Sequence, residues 1–227
     1  MRQLFIISIL SIFATVSCSQ KSGSTSTADK GKNPRIADYI KDKGYEKYSV
    51  ATFAGGCFWC TEASFERING VVDVISGYSG GRTEHPTYRE VCSETTGHAE
   101  AIQIYFDPEV VTFDKLLDVL FVAHDPTQLN RQGNDIGESY RSAIFYHNET
   151  QKELIDKKIA ALNKSTFNGR IVTQVAEYDE FWVAEAYHQN YYEINPRQSY
   201  VYNVSRPKVE KVMKVFKDIL KPKYKKS

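Results

Sequence analysis

The sequence predicts an α+β fold: a two-layer α/β sandwich with a ferredoxin-like β-α-β-β-α-β core plus additional helices. Three observations carry this. Short apolar, β-branched runs that close on Gly or Pro alternate with segments whose apolar residues recur at helical spacing. Two strand-like runs follow one another near the middle of that alternation, which is the split pattern of a sheet with helices on one face. No internal repeat and no second linker interrupts residues 46–205, so a single domain accounts for them.

Each element has its own signal. Residues 48–53 read as the first strand and end at Gly55-Gly56, after which Phe58, Glu62, Phe65 and Ile68 take the spacings of a helix. Residues 71–78 are β-branched and close on Gly80-Gly81, and residues 101–106 form the next apolar strand, ended by Asp107-Pro108. Leu116, Leu117, Leu120 and Phe121 share one face of a helix over 113–124, opened by Thr112 as N-cap, and residues 141–147 alternate as a strand. A helix over 150–163, a strand near 171–177 and a helix ahead of Leu220 extend this core.

Composition narrows the function classes. With 41% hydrophobic residues and 29 Lys+Arg against 28 Asp+Glu, the chain is neither disordered throughout nor basic enough to make an electrostatic case for nucleic acid. Four cysteines are too few for a disulfide scaffold, so each is read by its surroundings.

Arg2 followed by mostly apolar residues 4–16 reads as a secretory signal over residues 1–17, too short for a membrane span, which needs about 20 apolar residues. Thr15-Val16-Ser17-Cys18 resembles the lipobox of bacterial lipoprotein signals, with Thr15 where that pattern has Leu. Cys18 is the expected lipidation site; the alternative is a plain cleaved signal that leaves it a free thiol. The polar stretch that follows is expected to serve as a flexible tether over 18–45. Residues 46–205 would be the catalytic domain, and 206–227 a C-terminal helix and basic tail. An exported protein, lipid-anchored to a bacterial membrane and facing the periplasm or the outside, is the expectation.

The chemistry sits at the first turn. Gly55-Gly56-Cys57-Phe58-Trp59-Cys60 places Cys57 where a strand hands over to a helix, facing unpaired N–H groups and the positive dipole end, an environment that favours thiolate. Cys60 follows one turn along on the same face. A CxxC pair in an exported domain indicates redox cycling or half a metal site. Cys92 and His98 do not share a metal-knuckle spacing, so redox chemistry leads and no metal is expected. Phe58 and Trp59, beside the glycines, read either as core packing or as the wall of a small apolar pocket. Cys92 is expected to be a buried packing residue, His98 and His188 hydrogen-bonded side chains, and Trp182, Tyr187, Tyr191 and Tyr192 core or rim.

Four motifs taken together go further: Gly56-Cys57-Phe58-Trp59-Cys60, Tyr88-Arg89-Glu90-Val91-Cys92, Gly97-His98-Ala99-Glu100-Ala101, and Gln132-Gly133-Asn134-Asp135-Ile136-Gly137 followed by Tyr140-Arg141-Ser142. Over residues 51–205 the chain resembles the A-type peptide methionine sulfoxide reductase family. The resemblance implies a two-layer α/β sandwich that reduces the S epimer of methionine sulfoxide, free or protein-bound. It also implies no bound cofactor and a thioredoxin-like protein as the reductant. It implies Cys57 as the nucleophile at the sulfoxide sulfur and Glu100 as the proton donor to the oxide. Phe58 and Trp59 would take the substrate's ε-methyl group, with Tyr88, Asp135 and Tyr140 positioning the oxide. Some members resolve with cysteines near the C-terminus; this chain has none after Cys92, which leaves Cys60 as the resolving thiol. A monomer is expected. Two other classes stay open at this point, a general thiol-disulfide oxidoreductase and a non-enzymatic surface lipoprotein.

Overall fold

The computed structural model describes residues 32–225; the signal segment, Cys18 and the tether up to residue 31 lie outside the described residues. The chain runs α1 (Ile36–Ile40), β1 (Ser49–Gly55), α2 (Phe58–Glu66), β2 (Val71–Ser79), α3 (Tyr88–Cys92), β3 (Ala99–Phe106), α4 (Phe113–Ala123), β4 (Arg131–Gln132), β5 (Asp135–Ile136), β6 (Ser142–Tyr146), α5 (Glu149–Leu162), β7 (Gln174–Glu177), β8 (Phe181–Val183), α6 (Tyr191–Ile194) and α7 (Arg206–Val215). Strands β6, β1, β3 and β2 lie side by side in that order, all antiparallel, which is the strand order of the split β-α-β-β-α-β core.

Both ends of the sheet grow beyond that core. β7 pairs with β6 in parallel, so the sheet is mixed rather than purely antiparallel; a parallel neighbour needs a crossover, and α5 supplies it. β8 pairs with β2 at the other edge. Its Phe181-Trp182-Val183 run, part of the aromatic-rich stretch, is buried throughout.

Alternation sorts the side chains. On β1, Ala51 and Phe53 join the core under the helices while Ala54 points to the opposite face. On β3, Ile102, Ile104 and Phe106 face the helical layer, and Ala99, Ala101 and Tyr105 face away. Glu100 shares the parity of Ile102 and so meets α2. Helices α2, α4 and α7 pack together over this face, with Leu116, Leu117, Leu120, Val209 and Val212 buried. Thr112 caps α4 by accepting the Lys115 N–H at 3.2 Å, as expected.

The opposite face is also covered, and by residues that the sequence reading assigned to the tether. The Asn33 side chain is buried and donates to the Pro86 carbonyl at 2.8 Å, and the Val183 N–H donates to the Pro34 carbonyl at 2.9 Å. Ile36, Ile40 and Tyr45 pack against Ile75, Tyr105 and Phe145. The folded body therefore includes residues 33–45, ahead of residue 46: three apolar side chains in a polar context suffice because a waiting sheet face buries them.

Candidate active site

β1 ends in a turn that requires glycine. Gly56 has φ +86°, and a Cβ there would lie 2.6 Å from the Gln132 side chain. The turn leaves Cys57 as the N-cap residue of α2, and the Cys60 N–H donates back to its carbonyl at 3.1 Å. Cys57 and Cys60 are thus one turn apart on one face, as thiols, 5% and 2% exposed, and hydrogen-bonded sulfur to sulfur.

Glu100 is brought to the same point by its place on β3. It is 2% exposed, and its Oε2 accepts the Phe58 N–H at 3.0 Å, one of the donors that a helix start leaves unpaired. Burial pushes its carboxyl up to about 8, opposed by that N–H and reinforced by Asp135, Cys60 and Glu94. At neutral pH it is a carboxylic acid.

Aromatic rings wall the cysteine. Phe58 is buried among Tyr88, Tyr78 and His188, with centroids 6.5, 5.8 and 5.0 Å away. Trp59 is half-buried; it stacks on Tyr191 at 3.8 Å, meets Tyr200 edge-on at 5.8 Å and donates its Nε1–H to His188 Nδ1 at 3.1 Å. Tyr88 opens α3 behind the Thr87–Glu90 capping box, and its N–H donates to Glu185 Oε1 at 2.8 Å. The second oxygen of Glu185 accepts the Tyr78 hydroxyl at 2.9 Å.

The β4–β5 hairpin completes the ring. Its turn passes through Gly133, at φ +66°, and Asn134, and it presents Asp135, whose Oδ2 accepts the Tyr200 hydroxyl. Tyr140 ends the next turn, Glu138–Tyr140. Burial, then the nearby Glu100, raise both the Tyr140 and the Tyr88 hydroxyls above the ordinary phenol range, so both remain donors. Cys57, Cys60, Phe58, Trp59, Tyr88, Glu100, Asp135 and Tyr140, drawn from four separate stretches of sequence, converge here. A neutral acid and phenol donors beside a sulfur nucleophile suit attack on an atom whose oxygen must be protonated to leave.

The sequence model of the peptide methionine sulfoxide reductase family matches residues 49–220, a span that contains every one of these groups. The chain belongs to that family. Peptide methionine sulfoxide reductase MsrA of Natronomonas pharaonis is 50% identical over 169 residues, covering 74% of this chain and 95% of the relative. MsrA 1 of Rhodopirellula baltica is 52% identical over 188 residues, covering 83% and 97%. Among solved structures, methionine sulfoxide reductase A of Corynebacterium diphtheriae is similar with a TM-score of 0.62 at 36% identity, over 68% of this chain and 78% of that one. The reduced form of Mxr1 from Saccharomyces cerevisiae gives 0.60 at 37%, over 66% and 87%. The chain is an enzyme, a methionine sulfoxide reductase of the A type.

Two sequence expectations change against this geometry. Cys57 is not held as a thiolate: burial, the Cys60 sulfur and Glu100 all push its thiol up, opposed by the Trp59 N–H. Helix-end dipoles act within a turn, but complete burial outweighs them. Cys92 is exposed rather than buried, because it ends a five-residue helix at the surface. His98 is a hydrogen-bonded side chain, as expected: its Nδ1 accepts the Gly81 N–H at 3.0 Å and its Nε2–H donates to the Thr83 carbonyl at 2.8 Å, which pins a loop.

Sequence reasoning had the C-terminal wall only in part, with His188 as a hydrogen-bonded side chain and Tyr191 as core or rim, and missed Tyr200 and Ser205. His188, Tyr191 and Tyr200 reach Trp59 or Asp135, and Ser205 accepts the Cys60 thiol at 3.2 Å. Burial holds His188 down at about 4, hence neutral and able to accept from the indole. The crowd of aromatics after Trp182 was the available signal. Trp182 itself belongs to the core, with Tyr191 on the site.

Proposed function

We propose that this reductase acts on the S epimer of methionine sulfoxide, protein-bound or free, through a Cys57 sulfenic acid and then a Cys57–Cys60 disulfide. The observation that carries the reading is the buried, neutral Glu100 held by the Phe58 N–H beside Cys57. Glu100 donates its proton to the sulfoxide oxygen and recovers the proton that leaves the Cys57 thiol, while Cys57 sulfur bonds to the substrate sulfur. The hydroxyl then passes to Cys57, forming its S–O bond as the substrate S–O bond and the transient S–S bond break, and methionine leaves. The substrate sulfur gains the two electrons that Cys57 loses, and no net proton comes from solvent, which accords with a site enclosed by rings.

Phe58 and Trp59 hold the methyl group, and Tyr88, Tyr140 and Asp135 hold the oxide end. Fixing methyl, oxide and line of attack together selects one configuration at sulfur; that it is S follows the A-type family resemblance. Cys60 attacks the sulfenic acid, the S–O bond breaks, water leaves, and a thioredoxin-like dithiol reduces the resulting disulfide. The signal and Cys18 make this an exported, lipid-anchored enzyme that repairs oxidised exported proteins. The test is incubation with racemic methionine sulfoxide followed by chiral separation: consumption stopping at half, with the R epimer intact, is expected. Equal loss of both epimers would refute the reading.

A further inference from the structure

Cys60 is tied to the C-terminal segment as well as to Cys57. Its sulfur donates to Ser205 Oγ at 3.2 Å, and Ser205 is fully buried. Ser205 ends a wide helical turn, Val201–Ser205, that runs directly into α7, and Lys208 lies three residues on, hence on the same side of that helix. The Lys208 Nζ is buried and has no hydrogen-bond partner among the described residues, yet its charge bears on Cys60. A buried ammonium without an anion is costly, so its placement needs a compensating gain elsewhere in the cycle.

We propose that Ser205 and Lys208 are positioning residues for the resolving thiol: Ser205 fixes the Cys60 sulfur beside Cys57, and the Lys208 ammonium stabilises Cys60 as the thiolate that attacks the Cys57 sulfenic acid. This rests on the reading of Cys60 as resolver. In that step the Cys60 thiolate forms the S–S bond as the Cys57 S–O bond breaks, and the departing hydroxide takes up the proton Cys60 released, leaving as water. The groups facing Cys60 are Cys57 from the helix start, Glu100 from β3, Asp135 from the hairpin, and Tyr200, Ser205 and Lys208 from the C-terminal segment. The Cys57 hydrogen bond draws the Cys60 thiol down most, against burial, with Lys208 and then Ser205 adding to it, to about 7. Once Cys57 has given up its thiol proton, Ser205 and Lys208 still hold Cys60. A cysteine after Tyr200 is not needed when the same segment instead serves the thiol on α2.

The test uses the full chain, one equivalent of methionine S-sulfoxide and quenched flow from pH 5.5 to 9, reading methionine release and disulfide closure separately. Lys208→Met is expected to raise the midpoint of closure toward that of an ordinary cysteine, about 8.5. Closure at pH 7 should slow by up to about threefold, because the smaller thiolate fraction is partly offset by a more nucleophilic thiolate. Release should keep its rate, Lys208→Arg should restore the midpoint, and Ser205→Ala should slow closure without slowing release. An unchanged midpoint in Lys208→Met overturns the proposal, as does equal slowing of release and closure. Cys60→Ser run alongside separates the two readings: if it stops at one methionine while Lys208→Met closes normally, only this inference fails. If it turns over repeatedly, the resolver assignment itself fails.

Discussion

Replacing Glu100 by Gln tests acid catalysis and burial in one variant. The amide retains an acceptor for the Phe58 N–H, now 3.0 Å from Oε2, and nearly the same volume, but it cannot donate an acidic proton. Single-turnover methionine release should fall by about 10²–10⁴. The same change has a signed consequence for stability. The carboxyl titrates at about 8 in the folded protein and near 4.3 when unfolded, so between those values the folded state binds the extra proton. Its contribution is fully present below about pH 4.3 and is lost as pH rises through about 8. From pH 5 to pH 8 the parent should lose on the order of 3 kcal/mol that the Gln variant does not lose. Urea unfolding of both proteins at the two pH values reads this term, because titrating groups not coupled to Glu100, including buried Glu62 with its carboxyl also at about 8, cancel in the difference. A pH-independent difference would show that Glu100 ionises as an ordinary carboxyl, and a rate loss under tenfold would remove it from the acid role.

Other consequences are open to direct measurement. Cys60→Ser should release about one methionine per enzyme and then stop when a thioredoxin is the reductant, whereas sustained turnover would point to exposed Cys92 or to direct reduction of the sulfenic acid. Gly56→Ala places a Cβ at φ +86° and 2.6 Å from Gln132, so urea unfolding should show a loss of about 1–3 kcal/mol or more; a loss under half that would mean that the turn relaxes freely. Intact mass of protein extracted from membranes should carry a diacylated Cys18 as its first residue, and an unmodified cysteine there would refute the anchor.

The core fold was legible because its signals are local. Strand runs closing on Gly or Pro and the Thr112 cap each depend on a few adjacent residues, and each element of the β-α-β-β-α-β core appears within a residue or two of its expected bounds. Residues 33–45 were misread for the opposite reason. Ile36, Ile40 and Tyr45 are too few to announce a packed segment, and only the exposed face of a distant sheet gives them a partner. Half of the site was legible in the same uneven way: Cys57, Glu100 and Asp135 lie in short distinctive motifs, whereas His188, Tyr200 and Ser205 act through contacts spanning more than 60 residues and carry no motif of their own.

The one reversal of chemical sign concerns Cys57, and it explains why the acid and the nucleophile share an enclosure. Local reasoning about a helix start predicts a thiolate, but complete burial raises Cys57 and Glu100 together, so the resting site keeps both protons. In the proposed first half-reaction a thiol and a sulfoxide give a sulfenic acid and a sulfide, with no net proton exchanged. A dry site that holds its own two protons is therefore matched to it, and a pre-formed thiolate would have to draw a proton in from solvent. The second half-reaction is different, because a thiol must ionise to attack. Two cysteines one helical turn apart thus meet opposite requirements. In the resting site the Cys57 hydrogen bond draws the Cys60 thiol down most, against burial, and Lys208 and then Ser205 add to it from the C-terminal segment; once Cys57 carries the oxygen, the proposed pull on Cys60 is the part that those two supply.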